Sequence, residues 1–317
     1  MRRCRALERI GGIQAQYAPS MYVGLWSRLA DFERERLTRA LERRTVVQGT
    51  LLRSTIHLVS ARDYWPFAIG VRKARRDWWL RVHSEGSREI AAAAARMRRR
   101  LADGPVARAQ LIESLSTSLF NGAGLWLDMV RVPPSGTWER RRADIYAAAD
   151  DWLGPPGGVA LDDGIELLVT RYLGGFGPAR PVDIAGWAGL PAQAISSPLE
   201  RRPLRRFRDE WGRLLVDLPR APLPDPETSA PVRFLPTWDA TLLTHARGTG
   251  ILPEELRPLV FSTKNPQSVG TFTVDGAVAG SWRYEDGRIR LSPFGRMQDA
   301  ARREAEEEAA GLAAFHA

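Results

Sequence analysis

Apolar positions along the chain change period several times, and each change marks a different kind of element. Residues 5–10 carry the end of a helical pattern that stops at Gly11-Gly12, because glycine accepts the left-handed backbone that terminates a helix. Helical spacing resumes over Met21–Leu29 and Glu33–Leu41. Val46–Val59 then alternates with period two, with Gly49 at the expected turn. Helix, helix, strand pair is the order of a winged-helix module. Within the expected strand Leu52–Leu58, Leu52, Ile56 and Leu58 share one face, and Arg53, Thr55 and His57 the other. Ser60-Ala61-Arg62-Asp63 is a capping box that opens a further helix, followed by basic segments at Arg72–Arg76 and Arg96–Arg100.

The middle of the chain contains a faint repeat. Gly104-Pro105 is followed by Gln110-Leu111 and a strand-like run, Gly124–Val132, which ends at the turn Pro133-Pro134-Ser135-Gly136. Gly177-Pro178 is followed at the same offset by Asp183-Ile184 and a helix-like stretch, a spacing of 73 residues. Tandem small helical modules are expected. Residues 219–231 are too proline-rich for helix or central strand and mark a linker. Beyond them Thr271–Val274, Ala277–Tyr284 and Arg288–Leu291 alternate, separated by the hairpin dipeptides Asp275-Gly276 and Asp286-Gly287. A small β domain is expected there, followed by an acidic, alanine-rich terminal helix.

Charge changes this picture in one respect. The net charge of +9 is unevenly placed: residues 1–100 hold 22 basic and 9 acidic side chains, residues 101–317 hold 24 and 28. A polyanionic partner is therefore expected at the first third. The single cysteine, Cys4, excludes an internal disulfide or a multi-cysteine metal site, and the four histidines show no metal-ligand spacing. No apolar stretch is long enough for a membrane helix, and no phosphate-cradling glycine loop is present. The composition points to a cytoplasmic protein without metal or nucleotide cofactor.

The candidate chemistry lies at Gln14-Ala15-Gln16, just after the first helix stop. An extended backbone would turn both carboxamides to one side. A glutamine is no base near neutral pH, but its amide can hold a water in line and stabilise a developing positive centre. That suffices only for an activated leaving group. The segment Gly11–Pro19 around this triplet resembles the winged-helix DNA glycosylases of the AlkZ and YcaQ type, which unhook interstrand crosslinks. So do Thr50–Asp63, Phe234-Leu235-Pro236-Thr237-Trp238-Asp239 and Val274–Gly280. The resemblance covers nearly the whole chain and follows the Gln-x-Gln branch of the family.

The resemblance implies an α+β fold of tandem winged-helix motifs followed by a small C-terminal β-barrel-like domain. Modules are expected at 1–100 (carrying the glutamine loop), 101–158, 159–232 (with the linker) and 233–317. The family usually has a further helical stretch before the glutamine motif, whereas Gln14 lies close to Met1; either the start is placed late in this sequence or the first winged helix is incomplete. Gln14 and Gln16 are implied to position water against the sugar carbon C1′ of an N7-alkylated purine nucleotide, with crosslinked purines as a further implied substrate. Such a base leaves neutral without prior protonation, so positioning and fixed dipoles dominate. The partner is then double-stranded DNA, met by a monomer at the nucleoid. Candidate DNA-binding residues are Arg53, Thr55, His57, Arg72, Lys73, Arg75, Arg76 and Lys264. The rival reading is a non-catalytic winged-helix DNA-binding protein or transcription regulator, although no leucine-rich dimerisation helix supports it.

Overall fold

Two glycines stop the first helix, Arg2–Arg9: Gly11 and Gly12 have φ of 66° and 85°, and the Gly12 N–H closes on the Leu7 carbonyl at 2.9 Å. The computed structural model describes residues 2–113, 115–142, 144–245, 250–262 and 267–317. It forms two compact units, one of Met1–Pro19 with Glu33–Ala221, the other of Ser20–Phe32 with Pro222–Ala317. The expected linker over 219–231 holds the third and last passage of the chain between them.

The order strand, helix, helix, strand, strand occurs three times. It is first Ile13–Gln14, Ala18–Trp26, Arg34–Glu42, Val46–Thr50 and Ile56–Ser60. It recurs as Val106–Ala107, Arg108–Ile112, Thr117–Leu127, Met129–Arg131 and Ile145–Ala148. The third copy has only a one-residue bridge, Ala179 to Val216, before Pro181–Ala188, Ala192–Glu200, Arg205–Arg208 and Leu214–Asp217. In each copy the short opening strand pairs antiparallel with the last strand. The Gly-Pro dipeptides spaced by 73 residues stand at the opening strands of the second and third copies. The first two copies share one six-stranded antiparallel sheet, joined at Gln48–Arg131 and Gly49–Val130. The residues on either side of position 100 therefore build one continuous sheet.

Two local expectations are corrected. Gly49 is not at a turn but inside the strand Val46–Thr50, where a Cβ would lie 2.5 Å from the Tyr64 ring. The turn is Leu51–Thr55, with Arg53 and Ser54 left-handed at φ 51° and 58°, and the second strand starts only at Ile56. Likewise Gly124–Val132 is not one strand. It finishes the helix Thr117–Leu127, reverses at left-handed Asp128 (φ 52°) and becomes the strand Met129–Arg131. A short apolar run carries no period that separates these possibilities.

The repeats are packed together by long helices. Ser60 caps Ala61–Val82 as expected, its hydroxyl accepting the Asp63 N–H at 3.2 Å. This helix meets Leu161–Phe176 at a pair of glycines: a Cβ on Gly164 would lie 2.5 Å from Pro66 O and 2.9 Å from Gly70 N. Around that crossing, Phe67, Val71, Leu168, Val169 and Tyr172 form the main core.

In the second unit, Arg233–Leu235, Gly270–Val274, Ala277–Glu285 and Arg288–Pro293 form one four-stranded antiparallel sheet. Both Asp-Gly dipeptides turn with positive φ at each residue, 47° and 79° at 275–276 and 50° and 75° at 286–287, as hairpin turns require. The sheet is open among the described residues, which corrects the expected barrel-like closure. Phe234 and Phe272 stack across it at 5.7 Å. The terminal helix Asp299–His316 packs Phe315 on Trp26 and Phe32, both at 6.0 Å. The segment 20–32 is further held by Arg28, which donates to Asp239 at 2.7 Å, and by a 2.7 Å bond between the Ser20 and Thr237 hydroxyls.

Candidate active site

Gln14, Ala15 and Gln16 lie at the edge of the six-stranded sheet. Ile13 pairs with Leu58 and Gln14 with His57, and the Ala15 N–H donates to Ile56 O at 2.7 Å. Ala15 is fully buried in the core, Gln14 is buried at 8% exposure, and Gln16 is exposed. After Ala15 the backbone leaves the ladder. The Gln16 side chain takes its place, Oε1 accepting the Ile56 N–H at 3.2 Å. The glycines before the loop are required by space as well as by φ. A Cβ on Gly12 would lie 2.8 Å from Leu58 O, and one on Gly11 2.6 Å from the Trp187 ring.

Arg53 and His57 flank the loop, although not as neighbours on one polar strand face. The tight turn takes Arg53 out of the strand, and Thr55 closes that turn with its hydroxyl on Leu52 O at 3.1 Å. His57 faces the core, only 3% exposed. The Arg53 guanidinium donates to Trp187 O and, at 3.5 Å, to Gln14 Oε1. Burial pushes its pKa down to about 10, which leaves it cationic at neutral pH. Burial, then the Arg53 charge, push His57 down to about 3 against the opposing bond to Thr55. His57 is therefore neutral at pH 7. The proton rests on Nδ1, which lies 3.1 Å from Thr55 O and can only donate to that carbonyl.

A second polar group supports the entry to the loop. Arg171 grips Asp63 with two bonds, Nε to Oδ2 at 2.7 Å and a terminal nitrogen to Oδ1 at 2.8 Å, and lies 3.7 Å from Glu8 of the first helix. Burial still outweighs this pairing and holds the Asp63 carboxyl above its ordinary value. Asp63 was visible in the sequence as a capping-box acid, whereas Arg171 and Trp187 carried no local signal. A cleft of about 580 Å³ opens beside Arg53, walled by Trp78, Arg81, Leu190 and Pro191.

The basic run on the long helix is mostly occupied within the protein. Arg75 is buried and bonds Thr50 O at 2.5 Å and the Asp128 carboxylate, which Arg72 also grips at 2.7 Å. Arg76 donates to Leu125 O and Trp126 O at 3.1 and 2.9 Å. It thereby satisfies carbonyls that the end of Thr117–Leu127 leaves unpaired. Arg75, expected at phosphate, is buried and engaged with Asp128 in this structure. Lys73 alone of the four is exposed, paired with Asp77 at 2.5 Å. Lys264 lies outside the described residues. Among the described residues no cluster of three histidine, cysteine or carboxylate side chains could hold a metal ion, and no helix is long and apolar enough to cross a membrane.

Comparison with known proteins gives this arrangement a family. The structure resembles that of Streptomyces sahachiroi DNA glycosylase AlkZ with a TM-score of 0.81 at 19% sequence identity, over 98% of this chain and 90% of that one. This likeness shows a shared fold. No curated protein matches the sequence. The model of the AlkZ-like family, described as DNA glycosylase AlkZ-like, matches residues 7–315. With all but the two ends of the sequence inside that match, the chain belongs to the AlkZ-like DNA glycosylases, a family of repair enzymes whose substrate is DNA.

Proposed function

We propose that the protein is a monofunctional DNA glycosylase that hydrolyses the N-glycosidic bond of N7-alkylated purines, including crosslinked ones, with water positioned by Gln14 and Gln16. The observation that carries this reading is the chemistry of the loop. Two carboxamides are anchored at one sheet edge, Gln14 by Arg53 and Gln16 by the Ile56 N–H, and each carbonyl keeps a second lone pair for a water proton. Neither Arg53 nor His57 can donate or take a proton readily at pH 7. His57 is neutral with its one proton held by Thr55, and Arg53 stays charged.

Such a site suits a leaving group that needs no acid. A purine alkylated at N7 is already cationic and departs neutral. The enzyme then has to orient water and set fixed dipoles against an oxocarbenium-like sugar. We read the three strand–helix–helix–strand–strand units as winged-helix motifs, with the glutamine loop in the first and a monomer as the working form.

The test is base release from duplex DNA carrying N7-methylguanine, scored by alkali cleavage at the abasic product. Gln14→Ala and Gln16→Ala should bind the duplex as the parent does and release base far more slowly. Unchanged release in both variants would sink the assignment.

A further inference from the structure

The last strand pair of the first unit, Arg205–Arg208 with Leu214–Asp217, ends in a tip to which no role has yet been given. Residues 201–213 hold six arginines and two acids. At the tip stands Trp211, 62% exposed, the most exposed large apolar side chain among the described residues. An indole left in water is unfavourable, and tips of hairpins usually carry small polar residues.

The tip is nevertheless built to hold this ring out. Asp209 Oδ1 accepts the N–H groups of Trp211 and Arg213 at 3.0 and 2.8 Å, and its Oδ2 takes Arg213 Nε at 2.6 Å. Gly212, at φ 75°, donates to Asp209 O at 2.9 Å and accepts from the Arg208 guanidinium at 2.7 Å. The Arg213 guanidinium lies 4.2 Å from the Trp211 ring centroid. Arg206 and Arg208 occupy the exposed positions of their strand. The base of the hairpin is fixed too, by the bridge between Val216 and Ala179. A Cβ on Gly174 would touch Leu218, just after the hairpin, at 3.9 Å and Arg9 O, at the end of the first helix, at 3.8 Å, so both segments lie against the helix Leu161–Phe176.

A preset aromatic ring among guanidinium groups is the chemistry of a stacking platform beside phosphate ligands. We propose that this hairpin is a second DNA contact of the enzyme, in which Trp211 stacks on an unstacked nucleobase while Arg206 and Arg208 hold the neighbouring phosphates. The base in question is one whose partner has been removed, as it stands opposite an abasic site. The proposal rests on DNA being the substrate and is independent of which base is excised.

The test uses the full chain and fluorescence anisotropy. The ligands are a duplex carrying a tetrahydrofuran abasic analogue and the same duplex intact, over a series of salt concentrations. Trp211→Ala should weaken binding to the abasic duplex by about tenfold, within the roughly 5- to 150-fold range of base–aromatic stacking. It should change binding to the intact duplex less than about twofold and leave the salt slope alone, and Trp211→Phe should restore most of the loss. The double variant Arg206→Gln/Arg208→Gln should weaken both duplexes and reduce the slope of log K against log salt by roughly two.

Equal binding by Trp211→Ala and parent, or equal loss on both duplexes, would overturn the stacking role. An unchanged salt slope in the double variant would overturn the phosphate contacts. Base release is not the readout. Failure here is therefore separate from failure of the N7-alkylpurine reading.

Discussion

The side chain of Gln16 accepts the backbone N–H of Ile56 at 3.2 Å, where a continuing strand would have supplied a backbone carbonyl. The residue at the proposed water site thus also closes the sheet edge, so its orientation is set by the ladder. Gln16→Glu keeps the acceptor and should retain measurable base release. Gln16→Ala loses it and should slow single-turnover release by about 100-fold, the order expected when a reacting group is misplaced by an ångström.

Arg53 joins two distant segments, Trp187 O, 134 residues further along the chain, and the proposed catalytic Gln14, 39 residues before it. Arg53→Ala should lower stability by about 1.5–3 kcal/mol, since it removes a charge-assisted bond to a carbonyl of buried Trp187. It should also slow base release more than it weakens DNA binding. Urea unfolding and single-turnover kinetics on the same variant separate the two effects.

His57 makes the fold sensitive to acid. Its folded pKa of about 3 lies below the ordinary 6.5, so the unfolded chain binds the proton first. The stability linked to this group is present above pH 6.5 and is lost as pH falls from there toward 3. Within that window it contributes a slope of up to about 1.4 kcal/mol per pH unit. His57→Gln should flatten the pH dependence of unfolding over pH 6.5–4 relative to the parent.

Gly164 allows two long helices to cross at backbone distance. Gly164→Ala places a methyl 2.5 Å from Pro66 O and should destabilise the first unit by about 1–3 kcal/mol, despite alanine's better helix propensity. Gly186→Ala is the control, because a Cβ there meets nothing within 4 Å, and should be neutral or stabilising. Thermal unfolding of the two variants tests the crossing.

Much of the fold was legible locally. The stop at Gly11-Gly12, the Ser60 cap and both Asp-Gly hairpins are encoded by φ preference and by one side-chain bond within a few residues. Of the glutamine triplet only Gln14 lies in a strand, and Gln16 is already in the bend that follows. Arg53, Thr55 and His57 were misread as one face because a left-handed turn between apolar flanks leaves the alternation unbroken in sequence. The pairing of Arg75 was not legible because nothing within its helix announces Asp128, 53 residues away.

The sequence by itself determined the periods, the caps and turns, the concentration of basic charge in the first hundred residues and the family resemblance. These depend on backbone preferences and composition, which act at each position without reference to distant ones. The tertiary structure alone decided which partner each of these arginines meets. Arg171 on Asp63, Arg53 on Trp187 O and Arg75 on Asp128 are all pairings across the chain. A polar group removed from water must find its partner wherever packing delivers one, and packing is a property of the assembled core. That same rule separates the buried arginines from Arg206 and Arg208 of the Trp211 hairpin, which stay at exposed positions of their strand near a ring that is 62% exposed.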